Sequence, residues 1–335
     1  MKRTLSILLV TAAAALVLSS CAKAGSDNPN AAADRVLAAW VKVNYGENYA
    51  PNDSGVFILS LTQGTGAAVP DSGYVFCHYT RRSLEGNIAS TNDEALTEQL
   101  GLKTNLTDCG SDIWQVDQGM IPCGLEAVIK SLRVGGKARV ALPVAQSVVT
   151  NSTYNAFSAS ESDNVIYDIE LDDVVADIYA WQDDLLKAHS AAHYGGMDTL
   201  TAGYYFKVVG QAAEPDSIND DVSVSCWYIG RRLDGRVFDT NVRDTARKYE
   251  IYSSAGSYDS LALTYYKDFS TMLSNNSYAM GFTKAIHEMR KRDTVEVFFR
   301  SDWGYGASGS TTVIPEYCPL CFRIWFTQTT NGDEN

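Results

Sequence analysis

The feature that most limits what this chain can fold into is that its framework occurs twice. Gly203-Tyr204-Tyr205-Phe206-Lys207-Val208-Val209 matches the stretch from Gly55 to Leu61, Cys226-Trp227-Tyr228 matches Cys77-His78-Tyr79, and Leu233-Asp234-Gly235 matches Leu84-Glu85-Gly86. Further on, the stretch from Gly281 to Ile286 matches that from Gly124 to Ile129. The offsets drift only from 148 residues (Gly55 to Gly203) to 157 (Gly124 to Gly281), a spread that loop insertions explain. An internal duplication is the simplest account, and 335 residues leave each copy enough chain to bury its own core.

Each copy reads as mainly β. In the first, Val56 to Leu61, Tyr74 to Thr80, Lys137 to Leu142 and Asn164 to Leu171 are strand-like runs. Ile121 to Leu132 is a short helix closed by Val134-Gly135-Gly136. The 19 Tyr, 11 Phe and 6 Trp suit pleated, half-buried surfaces and disfavour an all-helical chain. A helical pattern precedes each copy: Ala31 to Tyr45, with Val36, Leu37, Trp40, Val41 and Val43, and Asp172 to His193, with Ile178, Trp181, Leu185 and Leu186. The segment after Gly86 to about residue 112 reads as a polar loop. Residues 253–277 read as an insertion whose Leu261, Leu263, Tyr265, Tyr266, Phe269 and Met272 suit a flap or a docking surface. The division expected is a leader at 1–20, tether and helix at 21–51, first copy at 52–176, linker helix at 177–199, second copy at 200–329 and a tail at 330–335.

Lys2 and Arg3, followed by the apolar run Leu5 to Leu18, read as a signal peptide. Leu18-Ser19-Ser20-Cys21 resembles the lipobox of bacterial lipoproteins, which implies lipidation of Cys21 and a membrane partner reached through acyl chains. The implied location is the bacterial cell envelope, with Ala22 after the cysteine favouring the outer membrane. No later stretch approaches the ~20 apolar residues of a spanning helix. Loss of Lys2 and Arg3 takes the formal charge from −13 to −15, which disfavours a nucleic-acid partner. Six cysteines remain after Cys21, an even number that permits disulfides. Cys318-Pro319-Leu320-Cys321 has redox or zinc spacing, but no helix N-terminus follows to depress a thiol pKa and two further ligands are missing. Packing cysteines or a structural disulfide are expected there, with no metal and no cofactor.

The stretch Gly230 to Asn241 holds the chemistry. Asp234-Gly235 is a hairpin turn, and the strand after it brings Phe238 and Asp239 to one place. With Tyr228, Gly230, Leu233-Asp234-Gly235 and Phe238-Asp239-Thr240 in this order, the second copy resembles an FKBP-type peptidyl-prolyl isomerase domain. Gly281-Phe282, Trp303-Gly304-Tyr305-Gly306-Ala307-Ser308-Gly309, Val313-Ile314-Pro315 and Leu320-Cys321-Phe322 look like the family's later elements, so the resemblance spans most of residues 203–328. It implies an α+β fold of two FKBP-like domains, each a twisted antiparallel sheet wrapped around a short helix, with preceding linker helices. It also implies an apolar bowl lined by Tyr228, Phe238, Asp239, Phe282, Tyr305, Val313, Ile314 and Phe322. Tyr249 stands for an aromatic of the intervening strand, Tyr278 or Ala279 for the apolar pair before the helix glycine, and Phe282 for the usual floor Trp. The implied catalytic residues are Tyr228, Asp239 and Tyr305, and the implied partners are proline-containing polypeptides.

The first copy departs from the pattern. Tyr79 and Tyr167 are kept, but Ile88-Ala89 are read in place of Phe-Asp, Leu125 in place of the floor aromatic, and Pro143 to Ser147 lacks the Tyr-Gly element. This copy is therefore expected to keep the fold with little or no isomerase activity. Two alternatives stand beside an isomerase: a non-catalytic chaperone or peptide-binding lipoprotein using the same grooves, and a purely structural lipoprotein.

Overall fold

A computed structural model of the chain describes residues 29–153, 157, 163–197, 199–210, 216–310 and 313–330. The leader and Cys21 lie outside the described residues. After helix α1 (Ala31–Tyr45), the first copy runs β1 (Phe57–Thr62), β2 (Tyr74–Arg82), β3 (Ile88–Thr91), α2 (Glu94–Gln99), β4 (Asp112–Gln115), α3 (Cys123–Ser131), β5 (Gly136–Leu142) and β6 (Val165–Val175). Helix α4 (Ile178–Tyr194) leads into the second copy. That copy contains β7 (Thr199–Thr201), β8 (Tyr204–Gly210), β9 (Val222–Arg232), β10 (Val237–Thr240), α5 (Arg243–Lys248), β11 (Leu261–Tyr265), α6 (Phe269–Asn275), α7 (Met280–Glu288), β12 (Thr294–Phe299) and β13 (Leu320–Thr330).

The two sheets share one topology. The first is ordered β1-β5-β6-β2-β3 with β4 also on β2, and the second is β7-β8-β12-β13-β9-β10 with β11 also on β9. All named pairings are antiparallel. In each copy the short helix after the fourth main strand, α3 or α7, buries its apolar face in the sheet's concave side. A close backbone approach makes this possible. A β-carbon on Gly124 would lie 2.8 Å from Val56, and one on Gly281 would lie 2.6 Å from the Phe299 ring. The expected α+β architecture of two like units, each an antiparallel sheet packed on a short helix, is what the chain adopts.

Three segments differ from the sequence reading. The "polar loop" after Gly86 contains β3 and α2 and ends in β4, because Asp93 caps α2 by accepting from the Leu96 amide and Asp112 to Gln115 pair with β2. Residues 253–277 are not a flap. Leu261 to Tyr265 form β11, which pairs with β9 as β4 pairs with β2, and Leu263, Tyr265 and Met272 are core residues. Helix α4 begins at Ile178 rather than near Asp172, since β6 continues to Val175 opposite Tyr74 and Asp177 accepts from the Tyr179 and Ala180 amides to start the helix.

The helices before each copy cover the outer faces of the sheets. Leu37 and Val41 of α1 pack on Phe57, Leu59, Ala141 and Ile166, while Leu186 of α4 packs on Tyr205, Phe298 and Cys321. Helix α4 also holds the copies together, because Ile178 is buried in the first core and Trp181 meets Phe76 edge-on at 5.0 Å. Across the same junction Arg232 pairs with Asp108 at 2.8 Å, both side chains largely buried, and Arg236 donates to the Thr107 carbonyl. Among the described residues Cys77, Cys109, Cys123, Cys226, Cys318 and Cys321 are all free thiols, and no cluster suits a metal. Burial raises the Cys321 thiol pKa far above its ordinary value and that of Cys318 to about 12, so the pair is packing rather than a reactive dithiol.

Candidate active site

The hairpin β9–β10 is pinned by two side chains. Asn241 accepts from the Tyr228 amide at 2.8 Å and donates to the carbonyls of Cys226 and Asp259, while Thr240 donates to the Tyr228 carbonyl at 2.6 Å. A bulge lies between Val237 and Asp239, and Asp239 comes opposite Gly230. Gly230 is required by space. A β-carbon there would come 2.8 Å from Phe238 and 2.9 Å from Phe322, so only a bare backbone lets both rings close over the strand.

Above this backbone the aromatic rings form a wall. Phe238 meets Phe322 edge-on at 5.6 Å, Phe322 meets Phe282 at 5.3 Å, and Phe282 meets Tyr228 at 5.4 Å and Tyr278 at 5.8 Å. They enclose an open cavity of about 170 Å³ whose remaining lining is Asp239, Leu261, Ser277, Ala279 and Tyr305. That suits one small ring better than a drug-sized ligand. The Tyr228 hydroxyl donates to Asp239 Oδ2 at 2.7 Å. Burial, then the Asp239 charge, raises both the Tyr228 and Tyr305 phenol pKa, so both remain proton donors across the physiological range.

Of the residues singled out in the sequence, Tyr228, Phe238, Asp239, Phe282, Tyr305 and Phe322 converge on this cavity, joined by Tyr278 and Ala279. Val313, Ile314 and Tyr249 are not among its lining residues. Val313 and Ile314 pack into the second core, Ile314 being 5% exposed, and Ile314 turns its accessible edge to a different cavity. Tyr249 ends α5 and lines a polar groove with Lys103, Thr104 and Arg236 instead, because residues 243–248 form a helix where a strand was expected. Leu261 and Ser277 were missed as lining residues. The alternation Leu261, Leu263, Tyr265 was the available strand signal.

The first copy shows how the same place is lost. Asn92 and Thr91 repeat the pinning bonds of Asn241 and Thr240, to the Tyr79 amide and to the Cys77 and Tyr79 carbonyls. This register places Ala89 at the position of Phe238 and Ser90 at that of Asp239, one residue later than the Ile88-Ala89 read from sequence. Arg81 stands where Gly230 does, so no strand-side space remains for a ring at residue 89. Phe157, supplied by a loop, packs between Tyr79 and Tyr167 at 6.5 and 6.3 Å, as Phe282 packs between Tyr228 and Phe322 in the second copy. Asp112 occupies the position of Leu261, and its carboxyl pKa is raised to about 8 by burial and then by the charge of Glu316. A cavity of about 560 Å³ lies over Tyr79, Ser90 and Asp112, and it is walled on its far side by Ile314, Pro315 and Glu316 of the second copy.

Comparison with known proteins bears on the second copy. A family model described as FKBP-type peptidyl-prolyl cis-trans isomerase matches residues 214–326. Similar solved structures include a peptidyl-prolyl cis-trans isomerase from Pseudomonas syringae pv. tomato, at 19% identity over 46% of this chain and 94% of that one, with a TM-score of 0.33. Another is the three FKBP domains of wheat FKBP73, at 15% identity over 84% of this chain and 97% of that one, with a TM-score of 0.31. The residues that this family model matches, 214–326, include all six that form the aromatic bowl, so the C-terminal copy is similar to FKBP-type peptidyl-prolyl cis-trans isomerases.

Proposed function

We propose that this protein is a peptidyl-prolyl cis-trans isomerase whose C-terminal copy alone turns over X-Pro bonds, acting on polypeptides of the bacterial envelope from a lipid anchor at Cys21. The observation that carries the reading is the convergence of Tyr228, Phe238, Asp239, Phe282, Tyr305 and Phe322 on one open apolar cavity. In the first copy Ala89, Ser90 and Leu125 replace Phe238, Asp239 and Phe282.

The reaction needs little else. Rotation about an X-Pro bond meets a barrier of about 18–20 kcal/mol because the planar amide is stabilised by charge separation. Water favours that planar form, so a prolyl ring seated among Phe238, Phe282 and Phe322 loses solvent that the twisted amide does not require. The Tyr305 phenol, 40% exposed at the rim, can donate to the substrate carbonyl, while Asp239 fixes the Tyr228 phenol from below. No proton transfer or covalent intermediate enters.

The test is an X-Pro peptide isomerisation assay on the full chain. Asp239→Leu and Tyr305→Phe are each expected to lower kcat/KM by about tenfold, equivalent to about 1.4 kcal/mol of lost transition-state stabilisation. Wild-type rates in both variants would refute the site. Suppression of client aggregation that persists when turnover is absent would favour the peptide-holding reading.

A further inference from the structure

The loop that bears Tyr305 is held in part by the other half of the molecule. Tyr317, at the loop's far end, is 3% exposed and belongs to the first copy's core, where its ring meets Tyr74 edge-on at 5.1 Å. Its backbone is in the left-handed region at φ +52°, a conformation that costs a non-glycine residue about 1 kcal/mol or more and persists only where contacts over-determine it. The Tyr317 amide donates to the Gly306 carbonyl at 2.9 Å, directly after Tyr305, and Ala307 packs against the same foreign core.

Both ends of this loop meet at one side chain. Gln182 of α4 is fully buried, and its amide group donates to the Tyr317 carbonyl and to Ser301 Oγ, each at 3.0 Å, while its oxygen accepts from the Ser301 amide at 2.8 Å. Ser301 precedes Tyr305 and Tyr317 follows it, so a single helix residue fixes the span of the loop. Between them Ile314 and Pro315 close over the first copy's cavity above Tyr79. The degenerate copy thus meets an Ile-Pro segment of its neighbour with the face on which the second copy has its bowl.

We propose that the N-terminal copy, together with the linker helix α4, is a clasp for residues 301–310 and 313–317, and that Tyr317 and Gln182 are positioning residues that set Tyr305 for isomerisation. The inference rests on the isomerase reading of the C-terminal bowl. A catalytic group displaced by a fraction of an ångström loses rate although no contact to substrate is removed. A duplicated domain without its aromatic and acidic residues is thereby given a use that requires its fold and not its activity.

The experiment is a double-mutant cycle in the full chain, read by X-Pro peptide isomerisation, with backbone hydrogen exchange of residues 304–310 as an activity-independent readout. Tyr317→Ala is expected to lower kcat/KM by about tenfold in the wild-type background but by less than about threefold when Tyr305 is already Phe, since residues acting through one another are non-additive. Tyr317→Phe, which keeps the ring, is expected to restore turnover. Exchange of residues 304–310 should quicken in Tyr317→Ala while β9 and β12 stay protected. Equal losses in both backgrounds, or unchanged loop exchange, would overturn the proposal. An inactive wild-type chain would instead count against the isomerase reading, leaving loop exchange to decide the clasp: quickened exchange supports it and unchanged exchange overturns it.

Discussion

Replacing Phe282 with alanine is expected to cost about 3–5 kcal/mol of stability in the C-terminal copy and to abolish most X-Pro turnover. The ring is 4% exposed at the start of α7 and touches Tyr228, Tyr278 and Phe322, so truncation leaves a void under the bowl as well as removing its floor. Gly281 immediately before it already brings the helix into contact with Phe299, which leaves the backbone no room to sink into the void. Denaturant unfolding and hydrogen exchange in β9 and β13 measure the first effect, and the peptide assay measures the second. Phe282→Trp, another large flat apolar side chain, should retain part of the activity, whereas full turnover by the alanine variant would show that Phe282 is not the floor.

The second large effect concerns pH and lies in the first copy. Asp112 in the folded chain has its pKa raised to about 8 from an ordinary value of 3.8, by burial first and by Glu316 second, against an opposing hydrogen bond from Asn92. Between those two values the unfolded chain has released the proton and the folded chain still holds it, so stability falls as pH rises from about 4 to about 8 and is level above that. At about 1.4 kcal/mol per unit of pKa difference, the total loss is a few kcal/mol. Asp112→Asn keeps the acceptor for Asn92 and removes the titration. It is expected to match the wild type near pH 4 and to be the more stable by a few kcal/mol at pH 8. Chemical denaturation at pH 4, 6 and 8 tests this, and a constant difference between the two proteins across the series would refute it. Because Glu316 belongs to the second copy, the smaller part of this destabilisation arises between the copies, the larger part being burial.

Much of the framework was legible from residue order. The repeat predicted two like units, and their sheets have the same strand order because equivalent residues face equivalent positions, such as Cys77 and Cys226 on the central strands. The helix from Ala31 to Tyr45 has the bounds its apolar spacing indicates. The one-residue error at Ile88-Ala89 has a physical origin. Both hairpins carry a bulge, and a bulge changes which residue faces the bowl without changing the local pattern of apolar and polar residues. The strand pairing, together with the bonds of Asn92 and Asn241 to the neighbouring strand, reveals the register. Tyr249 was misplaced for a related reason. Arg243 to Lys248 contains too few apolar residues to distinguish a six-residue helix from a strand by period.

The sequence by itself determined the duplication and the mainly β character of each copy, because turn chemistry and strand alternation are properties of neighbouring residues, while the antiparallel α+β architecture and the six residues that meet in the bowl came from the family resemblance carried by their order along the chain. Only the tertiary structure decided which side chain fills the first copy's bowl, which cavity Ile314 faces, and that Gln182 and Tyr317 tie the Tyr305 loop to the other half of the chain. Those contacts join residues more than a hundred positions apart, as between Gln182 and Tyr317. Packing across such distances depends on how two finished cores fit together, and no local pattern in either copy encodes it.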